Sequence, residues 1–381
     1  MKGFADRIAG ASEYYFSTKL KQISEMISQG KDVINLGIGN PDLPPHPKVI
    51  EALNKAANQE SIHGYQSYRG IPELRSAISE YYQNHFTVEL NSDSEILPLN
   101  GSKEGIMHIN MAFLNPGDEV LIPNPGYPTY SAAAKLTQAK VRNYSIGEDG
   151  IELDEFEGKD LSKVKLMWIN FPHMPTGKTA SLTLFKKAFD FAKKHNILLV
   201  NDNPYAHILT EKPLSLMQIN GAQEHCLELN SLSKTFNMAG WRVGMLAGSK
   251  DKIDAVLKVK SNMDSGMFYG LQMGAIKALK SSKEWFQSLN DTYSKRKALA
   301  MQLAENLDLS IDRNQAGMFL WAKVPKDESS EEFSDRILKD KNIFITPGHI
   351  FGSNGESFVR ISLCVPEQKF EEAIQRIKDN S

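Results

Sequence analysis

The stretch SLSKTFNMAGWR, residues 231–242, does most to decide the fold and the chemistry of this chain. It follows an apolar run at 226–230 that reads as a buried strand. A lysine amine forms a Schiff base with an aldehyde cofactor, and hydroxyls and a guanidinium bind phosphate. Ser231, Ser233, Lys234 and Arg242 therefore predict a site for pyridoxal 5′-phosphate (PLP). The alternative interpretation is a solvated lysine in a serine-rich turn.

The composition excludes several classes of protein. The chain has 381 residues, 41% hydrophobic and 24% charged, and its net charge of −2 gives no reason to expect a nucleic-acid partner or an anionic membrane. No apolar stretch is long enough to span a membrane, and the charged N-terminus does not resemble a secretion signal. Cys226 and Cys364 lie in apolar runs, which is typical of buried thiols rather than of disulfides or metal ligands. We therefore expect a cytoplasmic protein without a bound metal.

Short apolar runs alternate with helical patterns between residues 47 and 260. This alternation predicts an α/β fold with a mainly parallel sheet and helices on both faces. Ligands of such sheets bind beyond the carboxyl ends of the strands, where Ser102, Asp202 and Lys234 fall. The predicted strands are 95–99, 119–123, 164–171, 197–201, 226–230 and 243–248.

A second, smaller domain of α+β type is predicted from the two ends of the chain. A helical pattern at 269–303 is followed by strand and helix patterns through residue 378. We assign residues 46–270 to the large domain, and residues 1–45 with 271–381 to the small one.

The segment NGSKEG, residues 100–105, follows a predicted strand and begins a helix. The amides and the positive dipole at a helix N-terminus bind phosphate readily, although Ser102 could equally be a simple N-cap.

Four further side chains suit a pyridine ring and an amino-acid substrate. Asp202 follows an apolar strand and would keep the ring nitrogen protonated, with Tyr205 three positions on; a solvated turn is the alternative. Tyr127 follows another strand and could stack on the ring, or be an exposed loop tyrosine. Arg360 lies in a predicted strand in which apolar and polar residues alternate. An arginine on its inward face would bind a carboxylate, whereas the alternative is a surface arginine without a special role.

In this order the segments resemble the class I/II aminotransferases of PLP fold type I, over nearly the whole chain. Within that family the chain is most similar to LL-diaminopimelate aminotransferases and their alanine, methionine and aromatic relatives. The resemblance rests on residues 35–42, 101–106, 125–128, 231–242, 259–266 and 345–352.

The resemblance implies a role for each site residue. Lys234 would be the Schiff-base lysine, Asp202 would pair with the pyridine nitrogen, Tyr205 with the phenolate oxygen, and Tyr127 would stack on the ring. The phosphate would be held by Ser102, Lys103, Ser231, Ser233 and Arg242.

The resemblance also implies a homodimer with shared sites. Tyr65 would reach the phosphate bound by the partner subunit, and Gly39 and Arg360 would receive the substrate's α-carboxylate. Arg69, Tyr14, Tyr15 and the segment 262–269 are candidates for the side-chain pocket.

One position departs from the family pattern. The family's motif reads Asn-Pro-Thr-Gly, with its asparagine on the cofactor's phenolate oxygen, whereas residues 170–177 here read NFPHMPTG and place Met174 there. A thioether donates no hydrogen bond. We therefore expect the pKa of the cofactor's Schiff base to rise, because its deprotonated state loses a stabilising donor.

The function implied is a ping-pong transfer of an amino group between an L-amino acid and a 2-oxo acid, with an LL-diaminopimelate-type substrate as the best candidate. A PLP-dependent carbon–sulfur β-lyase is one alternative, since one scaffold supports several reactions. A PLP-binding protein without turnover is the other.

Overall fold

The computed structural model describes residues 3, 5–9, 15–148 and 150–379. The helices among them are α1 Asp6–Ala9, α2 Tyr15–Ser28, α3 Pro47–Ala57, α4 Pro72–Phe86, α5 Ser102–Phe113, α6 Pro128–Leu136, α7 Leu182–Lys194, α8 Ala222–His225, α9 Leu232–Thr235, α10 Lys250–Lys260, α11 Tyr269–Leu279, α12 Lys283–Asn306, α13 Ser330–Lys341 and α14 Glu367–Lys378. The strands are β1 Ile34–Asn35, β2 Ile96–Leu99, β3 Glu119–Asn124, β4 Lys140–Gly147, β5 Gly150–Ile151, β6 Val164–Ile169, β7 Leu198–Asp202, β8 Cys226–Ser231, β9 Gly244–Gly248, β10 Ser310–Ile311, β11 Phe319–Lys323, β12 Ile343–Phe344, β13 Thr346–Pro347 and β14 Phe358–Ser362.

Eight strands form the large sheet in the order β2-β9-β8-β7-β6-β3-β4-β5. The neighbours from β8 to β4 pair in parallel, whereas β9 runs antiparallel to β8 and β2, and β5 antiparallel to β4. The predicted mainly parallel sheet is confirmed. The sequence did not indicate β4, because this strand reads KVRNYSIG and most of its residues are partly exposed.

Successive residues of the central strands pack on opposite faces of the sheet. On β6, Leu166 and Trp168 join a core with α5, α6 and α10, whereas Met167 and Ile169 join a core with α4, α7 and α11. Both faces are therefore covered by helices, as predicted. A strand buried on both faces needs apolar side chains at every position, which is why these strands appear as continuous runs.

A separate four-stranded antiparallel sheet, β10-β11-β14-β13, forms the smaller body with its own core. β1 pairs in parallel with β12 and so links the N-terminal segment to the C-terminal part of the chain. The helical pattern predicted at 269–303 is two helices, and the first of them, α11, packs on α3 and α4. The domain boundary between residues 270 and 271 stays a prediction. The packing of α11 on helices of the large domain favours a boundary just after Leu279.

Cys226 and Cys364 are buried free cysteines. Among the described helices, none has both the length and the apolar character needed to cross a membrane.

Candidate active site

A cavity of about 690 Å³ lies at the carboxyl ends of the large sheet's parallel strands and is also lined by residues of the small sheet. Parallel strands direct their ends to one edge, so residues distant in sequence meet there. Tyr65 does not line this cavity and is 93% exposed. The other predicted site residues all line it: Gly39, Ser102, Lys103, Tyr127, Met174, Asp202, Tyr205, Ser231, Ser233, Lys234, Arg242 and Arg360.

The amine of Lys234 points into this cavity from α9. Its Nζ donates a hydrogen bond to the backbone oxygen of Gly39 at 2.7 Å. Burial lowers the pKa of the Lys234 amine, and the positive charges of Arg360 and Arg242 lower it further. A lowered pKa leaves more of the amine neutral near pH 7, as a nucleophile or base requires.

Asp202 lies at the end of β7 and is buried. Its Oδ2 accepts a hydrogen bond from the hydroxyl of Tyr130 at 2.8 Å, and none of the described residues hydrogen-bonds to Oδ1. Burial raises the pKa of Asp202 to about 7, and the Tyr130 hydrogen bond opposes that rise. The amide of Asn170 donates to the backbone oxygen of Asp202 at 2.5 Å, which fixes the strand end.

Two glycines bring the first turn of α5 against Arg242. Gly101 precedes that helix with φ +93°, and a Cβ there would lie 2.1 Å from Arg242 Nη2. A Cβ on Gly244 would lie 2.7 Å from the backbone nitrogen of Ser102. No side chain caps the N-terminus of α5. Burial lowers the pKa of the Lys103 amine, and the neighbouring Arg242 lowers it further. The N-terminal amides of α5 and the cations of Lys103 and Arg242 thus converge, as a site for an anion requires.

We call the site formed by the N-terminus of α5, Lys103 and Arg242 the anion cradle. The two serines of the 231–242 stretch line the same cavity. Ser231 caps α9: its Oγ accepts from the backbone nitrogen of Ser233 at 3.1 Å and contacts Ser233 Oγ at 2.9 Å. Arg242 has a left-handed backbone, φ 55°, and its Nη1 donates to the backbone oxygen of Ala239 at 2.9 Å. The guanidinium lies beside Gly101, and Arg242 lines the same cavity as the two serines.

Arg360 is the inward-facing arginine of β14 and is 4% exposed. Its Cζ lies 3.9 Å from the ring centre of Phe319 and 4.8 Å from that of Phe351. Nη2 donates to the backbone oxygen of Gly37 at 2.9 Å, and Nη1 lies 3.3 Å from Met174 Sδ. The guanidinium is therefore placed by two rings, a carbonyl and a thioether.

Two tyrosines line the remaining wall. Tyr127 immediately precedes α6, and its ring meets that of Tyr130 edge-on at 5.6 Å. Tyr205 packs edge-on against Phe319 at 6.1 Å, and burial raises the pKa of its hydroxyl.

Several lining residues were not predicted. Two of them had a signal in the sequence. Tyr130 lies one helical turn after Tyr127, and Asn170 directly follows β6, at the carboxyl edge of the sheet where Asp202 also lies. Leu20 of α2, Ile38, Phe319 and Phe351 also line the cavity, and none carried such a signal.

Three of the four predicted candidates for the side-chain pocket, Arg69, Tyr15 and the segment 262–269, do not line this cavity within the described part of the chain. Arg69 pairs with Asp254, and Tyr15 packs edge-on against His349 at 5.9 Å. The segment 262–269 lies outside the cavity wall. Tyr14 is outside the described residues.

Two other features lie apart from this cavity. A second groove of about 670 Å³ between α4 and α12 contains none of the predicted site residues. Glu104, His108 and Asp264 place potential metal ligands within 4.8 Å of one another. Lys260 Nζ already lies 2.7 Å from Asp264 Oδ1, so that carboxylate has a cation partner. The predicted lack of a metal stays a prediction.

The mainly parallel sheet and the lysine-containing cavity at its carboxyl edge define an aminotransferase fold. The chain belongs to the family "Aminotransferase class I and II", whose family model matches residues 31–377. It is an enzyme that transfers amino groups.

Relatives and solved structures agree with this family. The LL-diaminopimelate aminotransferase of Aquifex aeolicus is 40% identical over 99% of this chain and 98% of its own length. That of Halothermothrix orenii is 38% identical over 99% and 98%. Among solved structures, BacF from Bacillus subtilis superposes with a TM-score of 0.95 at 35% identity, covering 100% of this chain and 98% of that one. An aromatic aminotransferase from Pyrococcus horikoshii has a TM-score of 0.86 at 28% identity, over 94% and 98%.

Proposed function

We propose that this aminotransferase binds PLP in the cavity and works by a ping-pong cycle between an L-amino acid and a 2-oxo acid. The main supporting observation is that Lys234 and Asp202 line one cavity with the anion cradle at Gly101 and Arg242, and that Asp202 Oδ1 has no hydrogen-bond partner among the described residues. These residues fit PLP. Asp202 Oδ1 can accept a hydrogen bond from the protonated ring nitrogen, and the anion cradle can bind the phosphate.

Each part of the cofactor has residues that would hold it. Asp202 would pair with the protonated ring nitrogen, Tyr205 with the phenolate oxygen, and Tyr127 with the ring face. The phosphate would be bound by Ser102, Lys103, Ser231, Ser233 and Arg242. When bound, PLP supplies an aldehyde that takes up the amino group and a ring that withdraws electrons.

The chain's own residues perform the remaining tasks. Arg360 binds the α-carboxylate of the substrate, with Gly39 beside it, and so orients the α-carbon. The Lys234 amine, whose pKa is lowered, would accept the proton from the substrate's α-carbon and deliver it to the former aldehyde carbon of the cofactor, not back to the α-carbon. The carboxylate of Asp202 holds a proton on the ring nitrogen throughout.

A homodimer would complete the proposed site. Tyr65, Tyr68, Met263 and Phe268 are exposed, and the glycine at 266 allows their two loops to pack closely. Exposed apolar patches of this kind mark interaction surfaces. Tyr65 would then contact the phosphate of the partner's cofactor. Light scattering of the purified protein should give the dimer mass, and a monomer would contradict this. A cytoplasmic location stays a prediction from the sequence.

We propose an LL-diaminopimelate-type substrate, because relatives with that name are up to 40% identical over the whole chain. The test is a visible absorbance titration of the PLP-loaded protein with single amino acids and no oxo acid. Loss of the visible band with one oxo acid released per site identifies the donor. Pyruvate and ammonia released from a cysteine conjugate would instead support the β-lyase, and an unchanged band with every amino acid would support a protein without turnover.

The role of Lys234 has its own test. Borohydride should reduce the carbon–nitrogen double bond between Lys234 and the cofactor to a stable single bond. Mass spectrometry should then find the cofactor on the peptide that contains Lys234. Lys234→Ala should lose that adduct and lower turnover by orders of magnitude, whereas Lys260→Ala, outside the cavity, should retain the adduct. Near-normal turnover of Lys234→Ala would contradict the assignment.

A further inference from the structure

The two carboxylate oxygens of Asp202 differ in their hydrogen bonding within the described part of the chain. The Tyr130 hydroxyl donates to Oδ2 at 2.8 Å, and both side chains are buried and line the cavity. Oδ1 has no hydrogen-bond partner among the described residues. Because a carboxyl group is planar, a bond to one oxygen restricts where the other can point. The free oxygen is therefore held in place before any ligand enters.

The ring of Tyr130 is itself held on two sides. It stacks on Trp168 with ring centres 5.0 Å apart and planes 9° apart, and it meets Tyr127 edge-on. Trp168 lies on β6, which pairs with the strand that ends in Asp202. The hydroxyl position is thus set by the large sheet and α6.

We propose that Tyr130 is a positioning residue whose hydroxyl aims Asp202 Oδ1 at the ring nitrogen of PLP and keeps this carboxylate ionised there. The inference rests on the proposed cofactor. It assigns Tyr130 a role beyond core packing, one that acts through Asp202.

The electrostatics agree with the geometry. Burial raises the pKa of Tyr130 well above its ordinary value, so the hydroxyl stays protonated and always acts as the donor. The same hydrogen bond opposes the raised pKa of Asp202. Among the described residues, Tyr205 also interacts with this carboxylate, and its hydroxyl is likewise protonated because burial raises its pKa. Without the Tyr130 hydroxyl, the proton between the ring nitrogen and Asp202 would move toward the carboxylate.

The experiment compares Tyr130→Phe with Tyr144→Phe in the PLP-loaded protein. Phenylalanine keeps the ring packing and removes only the hydroxyl. Tyr144 is equally buried, and its hydroxyl donates to the backbone oxygen of Trp168 at 2.8 Å, so its removal is a matched control. We expect the dissociation constant of PLP to rise about tenfold in Tyr130→Phe, the effect of one hydrogen bond to a charged group, and to change less than twofold in Tyr144→Phe. The visible band should also shift in Tyr130→Phe alone.

A second background separates positioning from packing. In Asp202→Asn the partner carries no charge, so adding Tyr130→Phe should change the PLP dissociation constant less than twofold. An equal effect of Tyr130→Phe in both backgrounds, or wild-type affinity in the single variant, would show that Tyr130 only packs. A wild-type protein that forms no visible band with PLP overturns the proposed cofactor and this role with it. A normal wild-type band with an unaffected Tyr130→Phe overturns the tyrosine's role alone.

Discussion

Replacing Asp202 by asparagine should stabilise the cofactor-free protein while weakening its binding of PLP. In the cofactor-free protein this carboxyl is buried at the end of β7, and burial raises its pKa from 3.8 to about 7. Asparagine has nearly the same shape and can still accept the hydrogen bond from Tyr130, but it carries no charge. The variant therefore removes a buried group whose ionised form is unfavourable until a cation pairs with it.

The magnitude follows from the two pKa values. Below about pH 3 the carboxyl of Asp202 is largely protonated in both the folded and unfolded states, so it adds little pH dependence. As the pH rises from about 3 toward 7, the carboxyl of Asp202 ionises in the unfolded chain but stays mostly protonated in the folded protein, so stability falls. The pKa difference, 7 minus 3.8, is about 3, and one pKa unit corresponds to about 1.4 kcal/mol. The loss approaches about 4 kcal/mol above pH 7.

Urea unfolding of the cofactor-free wild type and Asp202→Asn between pH 4 and 8 measures this effect. The difference in unfolding free energy should change by about 4 kcal/mol in favour of the variant over that range. Asp190→Asn, which alters an exposed aspartate on α7, serves as the control and should show little change. At saturating PLP the wild type should have the larger unfolding free energy of the two proteins, because PLP binds it more tightly. A difference that stays constant with pH would refute the reasoning.

Three other substitutions test separate contacts. Gly101→Ala forces a Cβ against Arg242 and strains a positive-φ backbone by about 1–3 kcal/mol, so PLP affinity should fall at least tenfold; equal affinity by fluorescence titration would contradict the proposed anion cradle. Met174→Asn offers an amide donor, and the pH midpoint of the visible band should fall; an unchanged midpoint would show that residue 174 does not contact the phenolate oxygen. Arg296→Met leaves Asp42 without its bidentate partner at 2.6 and 2.9 Å, and chemical unfolding should show a loss of about 2–4 kcal/mol, largely recovered when Asp42→Asn is added. Additive losses would mean that the pair is not coupled.

Much of the site could be predicted because parallel strands end at one edge. Lys234, Asp202 and Ser102 each follow an apolar run, and that position alone indicated that they meet. Tyr130 and Asn170 had the same kind of signal, one helical turn after Tyr127 and directly after β6, but their partners could not be identified. A hydrogen bond to Asp202 depends on which strands are neighbours, and strand order is not encoded by local periodicity.

The sequence by itself determined the class of the protein, the strands of the large sheet other than β4 and β5, and the lysine of the 231–242 stretch, because burial patterns and motif spacing are local properties of the chain. Only the tertiary structure decided the surroundings of Arg360, where Gly37, Met174 and Phe319 come from three distant segments. It also decided that α11 packs on the large body. These contacts form where the two hydrophobic cores pack together, between residues that are far apart in the sequence. Such contacts do not produce a local hydrophobic periodicity, so the sequence pattern could not predict them.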